Sequence, residues 1–338
     1  MGNFGRKRNA DIFTWLVLCL LAIILIFAFP IFILIELINC FFPDRLAKKR
    51  YRHVFRHICG MGLKSDELAR RLGMTVEQIQ ATPQDYTTRK IPKRSGDQRE
   101  LNIPNEQLKS LQRCILKGLL SKLKTHPAAM GFEEGYSIAH NAMLHTQQAV
   151  VIKMDIKDFF PSITAATIEF YFREIGWNKR AAFLLSELCT HAYQLPQGAP
   201  TSPKLSNLVN YMMDYQIEQA VKHYHGTYTR YADDITISFP KDYPKHVRGI
   251  MQKVRCITKF HGYELNHKKT HILRQHQQQR VTGLVVNDKV NLPREKRRWL
   301  RAVEHRLQTQ GKASLTQEQL DGYKALQQMI ASQTQPKA

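Results

Sequence analysis

Two adjacent carboxylates, Asp233 and Asp234, lie between β-rich runs in Tyr228-Thr-Arg-Tyr-Ala-Asp-Asp-Ile-Thr-Ile-Ser-Phe239. Such a pair is electrostatically awkward, because like charges side by side raise each other's pKa, and a cation resolves that. Ile235, Ile237 and Phe239 alternate with Thr236 and Ser238, the period of a half-buried strand. The pair therefore belongs at the tip of a hairpin that presents Asp233 on a rigid backbone. An ordinary surface turn could also carry Asp-Asp, so the tip alone does not define a site.

A second segment supplies the missing partner. In Val150-Val-Ile-Lys-Met-Asp155-Ile-Lys-Asp158-Phe-Phe160-Pro161-Ser162 an apolar strand ends on Asp155, where a sheet would deliver a carboxylate. Phosphoryl transfer demands positioning and charge neutralisation more than covalent chemistry. Two divalent ions about 4 Å apart activate the attacking hydroxyl and stabilise the leaving oxygen. Asp155, Asp233 and Asp234 are the expected ligands, with Mg2+ the expected metal because it prefers oxygen donors, and Mn2+ the alternative. Asp158 reads as a strand-end or capping residue.

Charge restricts the partners. The 338 residues carry 50 Lys+Arg against 28 Asp+Glu, a formal +22, and such an excess calls for a polyanion, nucleic acid or an anionic membrane surface. The six cysteines show no CxxC or CxxH spacing. No zinc site or disulfide framework is expected, and they read as buried or lipid-facing thiols in a reducing compartment.

The composition breaks near residue 43. No charged residue occurs from Ile12 to Ile35, and the apolar character runs on to Phe42. About 20 apolar residues span a bilayer, so residues 12–42 are expected to form one membrane-crossing helix kinked at Pro30. A signal peptide would have a shorter apolar run and a small-residue cleavage site, and a buried core helix would show polar periodicity. Six Arg and Lys between Arg45 and Arg56 outnumber Arg6, Lys7 and Arg8. That bias favours a single-pass protein of the inner cell membrane with its C-terminal side in the cytoplasm.

Beyond the anchor the pattern is mixed. A short helix is expected over Lys64–Leu72 with Ser65 as cap, then a hairpin over Tyr86–Pro104 turning at Ser95-Gly96-Asp97. Strands are expected at Ala149–Met154 and Ile235–Phe239. Helices are expected at Gln107–Leu123, Ala165–Phe172, Arg180–His191 and Ser206–His223, with two more from Pro293 to Ser332 broken at Gly311. The fold class is α+β.

In order, Asp155 with an aromatic five positions on, Leu195-Pro-Gln-Gly-Ala-Pro-Thr-Ser-Pro203, Leu205-Ser-Asn207 and Tyr231-Ala-Asp-Asp234 resemble successive motifs of prokaryotic reverse transcriptases. Asn141-Ala-Met-Leu-His145 and Val281-Thr-Gly283 are similar to signature elements of the retron type. The resemblance covers roughly residues 65 to 310. It implies a right-hand polymerase of fingers, palm and thumb. The boundaries then fall at 1–44 for the anchor, 45–148 for linker helices and fingers, 149–288 for the palm, and 289–338 for thumb and tail.

The resemblance also implies roles. Lys93 and Arg99 on the fingers hairpin would grip the triphosphate, a task suited to two cations. Phe160 would be the steric gate against a 2′-hydroxyl, with Phe159 the better candidate for a core ring. Gln197 and Gly198 would line the nucleotide and template pocket, the glycine permitting close approach. Lys269 would approach the departing pyrophosphate as proton donor or counter-charge, although Lys268 is equally available by spacing. Asn141 and His145, on one helix face, would contact RNA or else be satisfied structural residues. Arg294, Arg297, Arg298 and Arg301 share a helix face and would track duplex phosphates, with Trp299 and Leu300 packing behind.

The activity implied is RNA-directed DNA synthesis from dNTPs. A structured noncoding RNA would serve as template and primer and yield an RNA-linked DNA in antiphage defence, with a defence-system partner protein left open. Two alternatives remain at this stage. One is a mobile-element or abortive-infection reverse transcriptase. The other is a membrane effector whose polymerase-like body only binds RNA.

Overall fold

The computed structural model describes residues 62–92 and 98–334. The expected anchor at 12–42, the turn at 95–97, Lys93, and Cys19, Cys40 and Cys59 lie outside these residues. No helix among the described residues is long and apolar enough to cross a membrane. The chain divides into two units, residues 1–62 with 173–178, and residues 63–172 with 179–338. In the first, the described part is a turn in which the Gly176 N–H donates to the Arg173 carbonyl at 3.0 Å. The remaining description concerns the second unit, apart from Arg173 and Glu174, the last two residues of a helix that begins in it.

Its order begins with α1 (Ser65–Leu72) and α2 (Val76–Gln80), the antiparallel hairpin β1 (Tyr86–Pro92) and β2 (Gln98–Pro104), and α3 (Glu106–Ile115), which runs into a π-turn at Leu116–Leu120. Helix α4 (Ile138–Met143) precedes β3 (Val150–Asp155). Helices α5 (Ala165–Glu174), α6 (Lys179–Cys189), α7 (Ser202–Val209) and α8 (Tyr211–Lys222) lead to β4 (Thr227–Tyr231) and β5 (Asp234–Phe239). Helix α9 (Pro244–Phe260), β6 (His271–Arg274), the short pair β7 (Arg280–Val281) and β8 (Leu284–Val285), then α10 (Arg294–Gln310) and α11 (Gln317–Gln333) complete it.

The site stands on a four-stranded antiparallel sheet ordered β4-β5-β3-β6. Val150, Val151 and Ile152 of β3 have no exposed surface, and β5 is buried from Ile235 to Phe239. Both strands are therefore covered on two faces, which places them centrally. Helix α8 packs on β4 and α9. A second cluster gathers Ala139 and Ala142 of α4, Val151, Val281, Leu284, Leu300 and Val303 of α10, and Leu320 and Ile330 of α11. Each fully buried Leu or Val contributes about 1.5–3 kcal/mol, so this cluster fastens the C-terminal helix pair beside the sheet.

Several expectations need correction. Lys64, not Ser65, is the cap of α1, and Ser65 is buried in its first turn; Gly73, at φ +68°, ends the helix. The single helix expected over Ser206–His223 is two. The Asn210 side chain donates to the Ser206 carbonyl at 2.8 Å, competing with the backbone ladder, and its own backbone leaves the helical region. Strand β6 has only four residues and shows no run long enough to read. Cys189 is buried, whereas Cys114 and Cys256 are exposed.

Candidate active site

Asp155 ends β3 and Asp234 begins β5, and the two face each other as register partners. The Ile156 N–H donates to the Asp233 carbonyl at 2.9 Å, which closes the strand ends together. Ala232 and Asp233 form the two-residue loop between Tyr231 and Asp234. Ala232 sits at φ +58°, where such loops normally take glycine; a side chain there costs about 1–3 kcal/mol and persists only when its surroundings over-determine it.

Those surroundings are a buried polar network. Arg230 donates from Nε and Nη2 to the two oxygens of Asp214, at 2.8 and 2.7 Å, and both side chains are fully buried. Its Nη1 reaches Asn207 Oδ1 at 3.2 Å and the Ala232 carbonyl at 3.0 Å. Asn207 donates in turn to the Gly131 carbonyl and to Glu133, which also pairs with Lys204. Gly131 is required here, since a Cβ would come within 2.7 Å of the Ala232 nitrogen. Burial alone would lower the Arg230 pKa, but the Asp214 carboxylate outweighs it and the guanidinium stays charged.

The three carboxylates share one electrostatic environment. Burial, and then the charge of Asp155, push Asp233 above the ordinary carboxylate range. Burial also raises Asp234, with Lys153 pulling the other way. Lys153 Nζ lies 3.1 Å from Asp234, and Lys269 Nζ lies 3.0 Å from both oxygens of Asp155. Among the described residues no three His, Cys, Asp or Glu close on a common metal position, and two of these carboxylates pair with lysines. The donor set nonetheless fits a hard divalent ion: three carboxylates at adjacent strand ends, of which burial pushes Asp233 and Asp234 upward. Lys269 is 60% exposed, so its ion pair is weak and easily exchanged.

The other expected residues divide into those near this centre and those elsewhere. Phe160 is half-buried, its ring 6.0 Å from Phe132 and 5.4 Å from Phe159. Phe159 is the core ring, with the Arg230 guanidinium over it at 5.5 Å. Asp158 is exposed and at φ +45°; its carbonyl accepts from the Ser162 N–H and hydroxyl. Gly198, at φ +123°, does permit a close approach, but to the chain itself: a Cβ would meet the Asn102 carbonyl at 2.8 Å. The Gln197 carbonyl accepts the Asn102 N–H at 2.7 Å, so this loop docks on β2, which also carries exposed Arg99.

Of the two readings left open for Asn141 and His145, RNA contact or a structural role, their positions favour the structural one. Both are completely buried. His145 lies beyond the end of α4 and hydrogen-bonds Ser238 and Thr229, at 2.8 Å each, tying β5 to β4. In α10, by contrast, Arg294, Arg297, Arg298 and Arg301 are all exposed, while Leu300 is buried. Trp299 is half-buried and packs on Tyr323 and Lys296.

Sequence reasoning missed Lys153, Asp214, Arg230, Gly131 and the role of Asn207. Lys153 has a visible signal, a cation two positions before Asp155 on the same strand face. Asp214 has one too, an acid among the buried positions Met213, Ile217 and Val221 of α8.

The pattern of a family described as Reverse transcriptase (RNA-dependent DNA polymerase) matches residues 91–286. The retron Ec86 reverse transcriptase of Escherichia coli is 36% identical, over 66% of this chain and 70% of its own length. The chain belongs to the retron reverse transcriptase family. Two relatives from Myxococcus xanthus, the retron Mx162 and Mx65 reverse transcriptases, are 34% and 36% identical over 79% and 72% of this chain. The chain spans 63% and 61% of their respective lengths. Within this chain the family match contains the Asp155, Phe160, Gln197 and Asp233–Asp234 segments, and the arginines of α10 lie beyond it.

Proposed function

We propose that the chain is an RNA-directed DNA polymerase that copies a cognate structured noncoding RNA into RNA-linked DNA, with a 2′-hydroxyl of that RNA as primer. The observation that carries this reading is the register pairing of Asp155 with Asp234, beside Asp233 on a turn held by buried charge. Family membership and retron relatives support the RNA template and the DNA product. The sheet serves as palm, the β1–β2 hairpin as part of the fingers, and α10–α11 as thumb.

Asp155, Asp233 and Asp234 would hold the two Mg2+ ions, which when bound supply charge neutralisation for the attacking and leaving oxygens. Lys269 leaves Asp155 and approaches the departing pyrophosphate, donating a proton from Nζ. Phe160 meets the sugar edge and excludes a 2′-hydroxyl. Arg99, with Lys93, holds the triphosphate, and Gln197 and Gly198 set the floor of the nucleotide pocket from their dock on β2. The arginine face of α10 follows the phosphates of the growing hybrid. Residues 12–42 anchor the chain in the inner membrane with this domain in the cytoplasm, and the complex acts in antiphage defence.

The test is extension of a primed RNA template by the full chain. Asp233→Asn with Asp234→Asn should lower incorporation at least a hundredfold while hybrid binding persists. Unchanged incorporation in that variant sinks the proposal. Sequencing copurified nucleic acid tests the retron product, which is a short RNA–DNA branched at a ribose.

A further inference from the structure

The β4–β5 hairpin has two ends. One carries Asp233 and Asp234, and the other, about 15 Å away at roughly 3.3 Å per strand residue, opens on a cavity of about 480 Å3. Phe239 and Val247, both buried, form part of its apolar lining. Rings from the chain on either side of the hairpin complete the lining. His223 and Tyr224 lie 4.9 Å apart, Tyr224 and His246 4.8 Å, and Tyr243 and His246 5.2 Å, giving a continuous run of four rings. Tyr243 is half exposed, and Lys241 and His225 are exposed at the rim. The acids nearest in sequence are already neutralised, Asp242 by Arg274 at 2.7 Å and Glu218 by Lys222 at 2.8 Å.

An apolar slot walled by exposed rings, with the exposed Lys241 at its mouth, suits a flat base joined to a phosphate. Single strands are bound this way, by stacking on aromatic side chains within a basic groove. We propose that this cavity is a second nucleic-acid site, distinct from the synthetic centre, which takes one or two unpaired nucleotides of a single-stranded RNA segment. A strand is favoured over a free nucleotide because exposed Lys245 and Arg248 follow Tyr243 along α9 and offer further phosphate contacts past the slot. The choice of RNA over DNA rests on the proposed function, in which RNA is present before any DNA is made. A tethered RNA held here would keep an unpaired region of the template at the end of the hairpin remote from chemistry.

The experiment uses the full chain with a preannealed RNA–DNA hybrid in saturating excess, so that the synthetic cleft is filled. A fluorescein-labelled oligouridylate decamer is then titrated and followed by anisotropy. Tyr243→Ala with His246→Ala should weaken decamer binding about tenfold or more, the scale of losing one stacked base. Tyr243→Phe should stay within about twofold of the parent. Lys241→Glu, at the exposed rim, should weaken binding and reduce its salt dependence. Hybrid extension should be unchanged in all three, which also reports that they fold. A decamer carrying 5-iodouridine should photo-crosslink within residues 222–248. Equal decamer affinity in the double alanine variant, crosslinks confined to other segments, or displacement by uridine monophosphate at the decamer's own concentrations would each overturn the proposal. Tighter binding of the matching oligothymidylate would overturn the RNA assignment. Failure of the hybrid itself to bind would count against the polymerase reading, while the decamer titration still reports on this cavity.

Discussion

Arg230 donates from Nη1 to the carbonyl of Ala232 at 3.0 Å, so a fully buried guanidinium grips the residue immediately before the Asp233–Asp234 pair. Asp214 fixes the other side of that guanidinium with two short hydrogen bonds. The turn that presents the carboxylates is thereby held from beneath the sheet.

Removing one member of this pair should be costly. Arg230→Met leaves Asp214 buried without its counter-charge, the Tyr228 hydroxyl alone still donating to it, and should destabilise the chain by about 3–5 kcal/mol, read by urea unfolding. Adding Asp214→Leu should recover only part of that loss, because the buried Tyr228 hydroxyl, which donates to Asp214 at 2.6 Å, then loses its acceptor. Nucleotide incorporation should stay at least tenfold down in the double variant, because the Ala232 carbonyl is still released. Parental incorporation in the double variant would show that the network serves stability alone.

Gly131 makes a second prediction. A methyl group there meets the backbone nitrogen of Ala232, which has no flexible end to yield. Gly131→Ala should cost about 1–3 kcal/mol through overpacking and displace the turn. The expected signature is a lower kcat for incorporation with hybrid affinity retained, measured on the same primed template.

The local elements were legible because their periods are clean. Alternation located β5 but misjudged its burial, since Thr236 and Ser238 are as buried as Ile235 and Ile237 and the strand is not half-buried; the continuous apolar run located β3, and the basic stripe with Trp299 and Leu300 behind it gave the two faces of α10. The three acids could be nominated, and their assembly follows from the β3–β5 register. What was hidden depends on contacts distant in sequence. That Gly198 yields to Asn102, or that Arg230 pairs with Asp214 beneath Ala232, has no local period to betray it. For Asn141 and His145 the sequence left RNA contact and a structural role both open, and only packing distant in sequence, which buries both, bears on the choice.

His145 gives a pH dependence of stability. Burial pushes its imidazole down to about 3, against an ordinary value of about 6.5, so the unfolded chain takes up the proton first. Its stabilising contribution is full above about pH 6.5 and falls by about 1.4 kcal/mol per pH unit below that, until roughly pH 3. His145→Gln cannot titrate. The stability advantage of the parent over this variant, measured by urea unfolding from pH 7.5 to 4.5, should shrink as the solution is acidified, and a constant gap would contradict a buried neutral imidazole.

The α10 arginines should act additively through phosphate contacts. Each Arg→Ala at 294, 297, 298 or 301 that removes one contact should reduce the slope of log affinity against log salt by roughly 0.7–0.9. Binding should weaken without a change in sequence preference. A salt slope unaltered by the four-fold substitution would show that this face is merely solvated.

The central claim is that Asp155, Asp233 and Asp234 gather on shared divalent ions, with Lys269 and Lys153 giving way. Anomalous diffraction from the full chain with Mn2+, an RNA–DNA hybrid and a nonhydrolysable deoxynucleotide tests it directly. The account predicts two peaks about 4 Å apart, each within bonding distance of carboxylate oxygens from this trio, with Asp155 released from Lys269. Peaks bound elsewhere, or an Asp155 still closed on Lys269 beside a loaded nucleotide, would contradict it.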